Sequence, residues 1–152
     1  IKNTKLEEEY KEGKYQPLSV VQAVEICKDI VRIFADKNID IIRIGLQNTE
    51  EISDPKNEGS EVVAGPYHPA FRQLVESAMW YDAIVGKIKK LNAKVKEVEV
   101  SVNPIDSNNV IGHKKENVIK LKNTYDVDLI LKQDKTIKQG KSRINITKTY
   151  DN

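Results

Sequence analysis

The chain has 152 residues, of which 39% are hydrophobic and 32% are charged, as is typical of a globular protein. No run of about 18 apolar residues is present, so no membrane span is expected, and no secretory signal is visible. The single cysteine, Cys27, excludes an internal disulfide and favours a reducing compartment, so we expect a cytoplasmic protein. Because the chain begins at Ile1 rather than Met, we interpret it as part of a longer protein.

The net charge of +2 is distributed unevenly along the chain. Residues 1–83 hold 10 Lys and Arg against 15 Asp and Glu, a net of −5. Residues 84–152 hold 15 against 8, a net of +7. A basic half suggests a nucleic-acid partner, but a lysine-rich solvated surface explains the same numbers. On charge alone, the second explanation is favoured.

Two helices are predicted at the start of the chain. Residues 5–16 are charged around a few apolar anchors and indicate a short helix that Gly13 ends. Residues 17–38 predict a longer helix, with Ser19 and Gln22 spaced as a capping box requires. Its apolar face is predicted to consist of Val20, Ala23, Val24, Cys27, Ile30, Val31 and Phe34.

Cys27 lies on this apolar face and is predicted to be a core residue rather than a nucleophile, since nothing nearby in sequence lowers a thiol pKa. Residues 39–47 follow after a short link. Their nearly continuous apolar run predicts a strand that is covered on both faces, as in a parallel sheet. Helix and strand together indicate an αβ unit.

The middle of the chain changes from loop to helix. Residues 48–61 are polar and predict a loop, and residues 62–69 contain Gly-Pro and His-Pro pairs that exclude regular structure. Residues 70–92 predict a long helix. Its buried face is expected to comprise Phe71, Leu74, Val75, Ala78, Ile84, Val85, Ile88 and Leu91.

The basic half predicts a small unit of helices and strands. Alternating valines in residues 94–104 indicate a strand with one polar face, and residues 106–125 indicate two helices joined at a glycine turn. Residues 127–133 and 142–147 predict two more strands. Residues 134–141 between them are interpreted as a hairpin-like loop.

The order strand, helix, glycine turn, helix, strand, strand over about residues 94–147 resembles the KH nucleic-acid-binding module. That module has a V/I-I-G-x-x-G loop between its helices, which clamps about four nucleotides. The second glycine of the loop is Lys115 here, which adds a side chain but also a cation for phosphate. The residues that match the module are Val110, Ile111, Gly112, Val118, Ile119 and Leu121.

The acidic half resembles the end of the catalytic barrel in radical S-adenosylmethionine (SAM) enzymes, in particular the Elongator catalytic subunit and its bacterial relatives. The family segment L-x-x-x-Y-x-x-G-x-Y-x-P-x-S is matched by Leu6, Tyr10, Gly13, Tyr15, Pro17 and Ser19. The strand "IIRIGLQ" and the segment "VVAGPYHPAFRQLVES" extend the resemblance over about residues 1–80.

This resemblance implies a radical enzyme that uses SAM and a 4Fe–4S cluster. The cluster motif C-x-x-x-C-x-x-C is absent from the chain, so we expect this part alone to be inactive and to need the N-terminal barrel portion as its partner. The Elongator relatives modify transfer RNA, and a basic KH-like tail fits an RNA anchor.

Four candidate substrate or cofactor residues lie in the acidic half. In barrel enzymes the chemistry lies at the carboxyl-terminal ends of the strands, which points to Arg43 and Gln47. Arg43 suits a carboxylate or phosphate, or else an ion pair, and Gln47 suits the adenosine or the substrate, or else a strand end. Tyr67 and His68 lie in a proline-rich loop, where His68 serves as an acid/base, binds phosphate or caps the following helix.

Candidate RNA-binding residues surround the glycine turn, and no metal site is predicted. The RNA candidates are Gly112, Lys114, Lys115, Lys120 and Lys122. Two distant histidines and one cysteine do not make a metal site.

The predicted fold is α/β: the end of a partial parallel, TIM-like barrel over residues 1–61, then a C-terminal extension over residues 62–152 with a long helix and the KH-like unit. The predicted function is the C-terminal portion of a radical SAM iron–sulfur enzyme, acting on RNA. Two alternatives stay open: a non-catalytic nucleic-acid-binding module, and a lid or interaction domain of an oxidoreductase that acts on a small molecule.

Overall fold

The computed structural model describes residues 1–91 and 93–150 and divides into two compact units. We name Ile1–Val75 the N-terminal unit and Glu76–Asn152 the C-terminal unit. The helices are α1 (Lys5–Lys11), α2 (Val20–Asp36), α3 (Phe71–Lys89), α4 (Ser107–Ile111) and α5 (Glu116–Tyr125). The strands are β1 (Val95–Val102), β2 (Asp128–Gln133) and β3 (Ser142–Thr149). The chain is therefore a mixed α/β protein, as predicted.

The capping box of α2 is confirmed. The backbone N–H of Gln22 donates to Ser19 Oγ at 3.2 Å, and the backbone N–H of Ser19 donates to Gln22 Oε1 at 2.9 Å. The two bonds satisfy amide groups that have no partner within the helix. The shorter α1 ends before Gly13, whose φ of +74° favours glycine at this C-terminal stop.

Fewer residues of α2 are buried than the sequence predicted. Ala23 and Val24 are buried, but Ile30 is 43% exposed and Phe34 is 38% exposed. The predicted strand at residues 39–47 is wrong, because the structure has no strand there and Ile42 is 96% exposed. A strand needs a hydrogen-bonded neighbour, and no described residue pairs with this segment.

The sheet of the C-terminal unit has the strand order β2-β1-β3. β1 pairs with β2 in parallel and with β3 in antiparallel orientation. The prediction of a hairpin-like loop at residues 134–141 is wrong, because β2 and β3 lie on opposite sides of β1. The loop crosses the end of β1 instead, where the Asn103 amide donates to the Ile137 carbonyl at 3.0 Å and the Gly140 N–H donates to Asp106 Oδ2 at 2.8 Å.

One core fills the C-terminal unit. Val98, Val100 and Val102 of β1 are fully buried, and Ile84 from the second half of α3 packs in the same cluster. Each such side chain contributes about 1.5–3 kcal/mol of transfer free energy. The long helix therefore covers one face of the sheet, although Leu91, predicted to be buried, is 41% exposed. Within the described residues, no helix has the length and apolar character needed to cross a bilayer.

Candidate functional site

A cavity of about 360 Å³ lies in the N-terminal unit. Its walls are mainly apolar and include Leu6, Ala23, Cys27, Leu46, Val62 and Phe71, together with Tyr67 and His68. Gly45 also lines it, with a φ of +86° and a position where an added Cβ would lie 3.0 Å from the Cβ of Phe71. Glycine is needed there both for its backbone conformation and for the close approach of the Phe71 side chain.

The structure brings two of the four predicted residues to this cavity. Tyr67 and His68 line it, whereas Arg43 and Gln47 do not. Arg43 is exposed, and its Nη1 donates to the Gln47 side-chain oxygen at 2.7 Å. The two predicted strand-end residues therefore bind each other, in a segment that is not a strand.

His68 caps the start of α3. Its Nδ1 accepts a hydrogen bond from the backbone N–H of Ala70 at 3.1 Å, and its carbonyl accepts from the N–H of Phe71 at 3.1 Å. An accepting Nδ1 carries no proton, so the proton of the neutral ring is on Nε2. The hydroxyl of Tyr67 donates to the side-chain oxygen of Asn48, which fixes its ring at the cavity edge.

Lys28 was not singled out from the sequence, yet it is only 5% exposed. Its ammonium forms an ion pair with Glu25 at 2.7 Å. Lys28 follows the buried Val24 by four residues, so it lies on the inward stripe of α2. That spacing was the available signal for its burial.

The predicted loop between two helices is present in the C-terminal unit. We name Gly112–Lys115 the glycine–lysine loop. Gly112 has φ 84° and ψ 161°, a region that is essentially restricted to glycine. A Cβ at this position would lie 3.0 Å from the backbone nitrogen of Asn117. Lys114 and Lys115 follow with φ of 50° and 64°, and both side chains are exposed.

Asn117 supports this loop and was missed by sequence reasoning. It is 3% exposed, and its amide nitrogen donates to the carbonyls of Ser77 at 2.8 Å and Val110 at 3.1 Å. These bonds join the start of α5 to α3 and to α4. Asn109 adds a further bond, since its amide donates to Glu76 Oε2 at 2.7 Å.

The remaining predicted RNA contacts are engaged in ion pairs. Lys120 pairs with Glu116 at 2.5 Å, and Lys122 pairs with Asp126 at 2.9 Å and Asp128 at 3.0 Å. The two carboxylates beside Lys122 raise the pKa of its ammonium above the ordinary value. Within the described residues, the exposed lysines of this region that form no ion pair therefore lie on the loop rather than on the body of α5.

Comparison with known families bears on the N-terminal unit. A family model described as the radical SAM C-terminal domain matches residues 1–81, slightly more than half of the chain. The chain belongs to this family. No curated protein and no solved structure gives a significant match. The radical SAM match covers the cavity residues and the first half of α3, and it ends before the sheet of the C-terminal unit.

Membership in the radical SAM family makes the chain part of an enzyme that uses SAM and a 4Fe–4S cluster in its full-length form. Such a cluster takes about four ligands, mostly thiolates, and this chain has the single cysteine Cys27. In residues 1–91 and 93–150, no group of three or more His, Cys, Asp or Glu side chains is placed to hold a metal ion. The residues described here do not fit the cluster, so no cluster chemistry is assigned to them.

Proposed function

We propose that the full-length enzyme acts on RNA, with transfer RNA as the substrate class, and that the C-terminal unit holds that RNA through the glycine–lysine loop. The observation that carries the proposal is the exposed pair Lys114 and Lys115 on a left-handed turn between two helices. In the proposal, residues 94–147 form a KH-like unit and the chain is related to the bacterial relatives of the Elongator catalytic subunit.

The backbone of Lys115 supports a KH-like origin of the loop. In the KH module the corresponding position is the second glycine, and here Lys115 has φ 64° and ψ 25°. Glycine adopts this conformation readily, whereas other residues do so at a cost of about 1–2 kcal/mol. The conformation that a glycine favours is thus kept, although the residue has changed to lysine.

The chemistry of the loop suits a phosphate backbone. Lys114 and Lys115 provide two exposed ammonium groups, and neither forms an ion pair within the described residues. They precede the first turn of α5, a ten-residue helix whose N-terminus attracts negative charge. Cations that neutralise phosphates release counterions and so make binding salt-dependent. The loop is therefore expected to hold RNA without reading its bases.

The N-terminal unit is proposed to pack against the catalytic portion of the radical SAM barrel. Ile26, Ile33 and Ile42 are 48%, 58% and 96% exposed, which is unusual for side chains that contribute most when buried. Replacing Ile33 with Asp should lower the soluble yield of the full-length enzyme and leave this chain alone unaffected.

A second candidate is an oxidoreductase that acts on a small molecule. The observation in its favour is the cavity of about 360 Å³ in the N-terminal unit, which is of the size of small-ligand sites. Tyr67 and His68 would then orient the ligand at the cavity wall.

Salt-dependent binding of a transfer-RNA pool, measured by fluorescence anisotropy, tests the RNA proposal. We expect the double variant K114A/K115A to weaken binding and to reduce the salt slope by about 1.4–1.8, two phosphate contacts at about 0.7–0.9 each. The matched control K132A/K148A removes the same charge from lysines that are paired with Glu99 and Glu97, and it should leave the slope unchanged. Equal slopes for wild type and K114A/K115A would reject the loop as an RNA contact.

A further inference from the structure

Among the described residues of the basic half, one set of lysines forms no ion pair. Among the fifteen Lys and Arg of residues 84–150, the five that form ion pairs are Lys120, Lys122, Lys132, Arg143 and Lys148. The other ten are all lysines, and within the described residues none of them forms an ion pair. Two are in the glycine–lysine loop, three are in the loop between β2 and β3, and five lie between the last turn of α3 and the start of β1.

The largest of these groups contains the five lysines between the last turn of α3 and the start of β1. We name its members the turn lysines: Lys87, Lys89, Lys90, Lys94 and Lys96. All five are exposed. Lys87 and Lys89 lie in the last turn of α3, where cations stabilise the helix terminus. That role accounts for two of them, and Lys90, Lys94 and Lys96 remain without an ion pair among the described residues.

Lys94 and Lys96 converge on one aromatic ring. Their ammonium nitrogens lie 4.7 Å and 5.5 Å from the ring centroid of Tyr150, which holds both side chains at one place on the surface. The carboxylate that interacts with Lys94, Asp126, is already engaged by the Tyr150 hydroxyl at 2.6 Å and by Lys122 at 2.9 Å. The carboxylate that interacts with Lys96, Glu97, is already paired with Lys148 at 2.7 Å. The positive charge of the two lysines therefore stays available to an external anion.

We propose that the turn lysines form a second contact to the RNA backbone, at the opposite end of β1 from the glycine–lysine loop. This inference rests on the proposed RNA function of the C-terminal unit and extends it to a second surface. No base contact is assigned to the turn lysines, because ammonium groups on flexible stems neutralise phosphates and read no sequence.

The topology places the two basic surfaces at opposite ends of the unit. The turn lysines precede or begin β1, whereas α4 starts just after β1 ends, beside Gln133, whose amide donates to Ser107 Oγ at 3.1 Å. The ten residues of α5 then span about 15 Å back toward the start of β2. With eight residues, β1 itself is about 26 Å long.

A polymer of phosphates is the ligand that fits this separation. One small anion cannot reach both surfaces, while an RNA of several nucleotides that runs along the unit can touch each of them. A bilayer of anionic lipid also attracts lysine clusters, and it is treated below as an outcome of the test.

The test compares two triple variants of the 152-residue chain that lose the same charge. K90Q/K94Q/K96Q removes unpaired turn lysines, and K132Q/R143Q/K148Q removes cations that are paired with acids on the sheet. Anisotropy with a transfer-RNA pool is recorded over a salt series, with thermal melting by circular dichroism as a folding check. We expect the first variant to reduce the salt slope by about 2–3 and the second to leave it unchanged. K90R/K94R/K96R should retain the wild-type slope.

The same salt series with K114A/K115A separates this inference from the proposed function. A reduced slope for the turn variant with an unchanged slope for the loop variant supports the second surface and rejects the loop. The reverse result overturns the second surface and keeps the loop. Equal slopes for the two triple variants, or no RNA binding at low salt, overturn the inference. Loss of binding to phosphatidylserine vesicles with an unchanged RNA slope would assign the turn lysines to a membrane and also overturn it.

Discussion

The two units of this chain differ in how many of their apolar side chains are buried. Among the described residues, the C-terminal unit buries ten hydrophobic side chains in one cluster and the N-terminal unit buries five. The N-terminal unit also carries thirteen of the seventeen large hydrophobic side chains that are exposed. The C-terminal unit therefore has the core of an independent domain, while the apolar exposure of the N-terminal unit is what the proposed packing against the rest of a barrel would predict.

The difference in burial between the two units falls close to the C-terminal end of the family match. The radical SAM C-terminal domain covers residues 1–81, and the described part of that range contains helices but no strand. The C-terminal unit supplies all three strands of its own sheet. The predictions below test this contrast, beginning with the largest expected effect.

Truncation of a buried side chain in the C-terminal unit should give the largest difference in stability between the two units. Leu121 is fully buried in the C-terminal unit, so Leu121→Ala is expected to lower the free energy of unfolding of that unit by about 2–5 kcal/mol. Ile33, 58% exposed in α2, serves as the control, and Ile33→Ala should change stability by less than about 0.5 kcal/mol in this chain. Urea denaturation followed by circular dichroism measures both. Equal losses would mean that α2 is packed as tightly as α5.

Gly112→Ala should be the costliest change in the glycine–lysine loop. It forces a Cβ into a glycine-restricted backbone conformation and against the backbone nitrogen of Asn117. We expect a loss of about 1–3 kcal/mol, read from the same urea titration. Gly86→Ala near the C-terminal end of α3 is the control, because nothing lies within 4 Å of its added Cβ and the helix gains from alanine. A Gly112→Ala variant as stable as wild type would show that the loop adjusts freely.

Lys115→Gly should stabilise the protein, in contrast to Gly112→Ala. The substitution relieves the left-handed backbone strain of a lysine, and the added freedom of the unfolded chain offsets part of this gain. The net effect is expected to be a stabilisation of up to about 1 kcal/mol, visible as a higher melting temperature. A destabilisation similar to that of Gly112→Ala would instead indicate that the Lys115 side chain is held in place by packing.

Tyr150→Phe should have the smallest effect on stability, and that effect should appear only at acidic pH. The Tyr150 hydroxyl, followed by Lys122, holds the pKa of the Asp126 carboxyl below its ordinary value of 3.8. Stability from the ionised carboxylate is therefore present above about pH 4 and is lost as pH falls through the folded pKa.

Without the hydroxyl, the folded pKa of Asp126 moves back toward its ordinary value, so the variant should lose less stability than wild type between about pH 4 and pH 2. Melting temperatures across this range give the comparison. Thr149→Val, at the end of β3, serves as a control, because within the described residues the Thr149 side chain bonds no carboxylate. Parallel pH profiles for wild type and Tyr150→Phe would contradict the link between Tyr150 and Asp126.

Local features were readable from the sequence. The capping box of α2 depends on two residues three apart, and the alternating valines of β1 report one buried face, so both were predicted correctly. The pairing of Lys120 with Glu116 was equally readable, since residues four apart meet on a helix, yet Lys120 was assigned to RNA. A check of helical spacing would have found that partner.

Features that depend on contacts between distant segments could not be predicted from the sequence. The segment at residues 39–47 has the composition of a strand, but strand formation depends on neighbours that its own sequence does not specify. The turn at residues 134–141 looks like a hairpin, although the order of strands is decided by which edge of β1 each one covers. Burial of Asn117 depends on the Ser77 carbonyl, which lies 40 positions earlier in the chain.

The strand order β2-β1-β3 also has a consequence for synthesis on the ribosome. β1 is central in the sheet but is made first, and its residue Val98 pairs with Leu129 on one edge and with Ile146 on the other. Both edges of β1 therefore stay open until much later segments have left the exit tunnel. Because long-range pairings form slowly and open edges favour aggregation, the nascent C-terminal unit is most vulnerable between the emergence of β1 and that of β3.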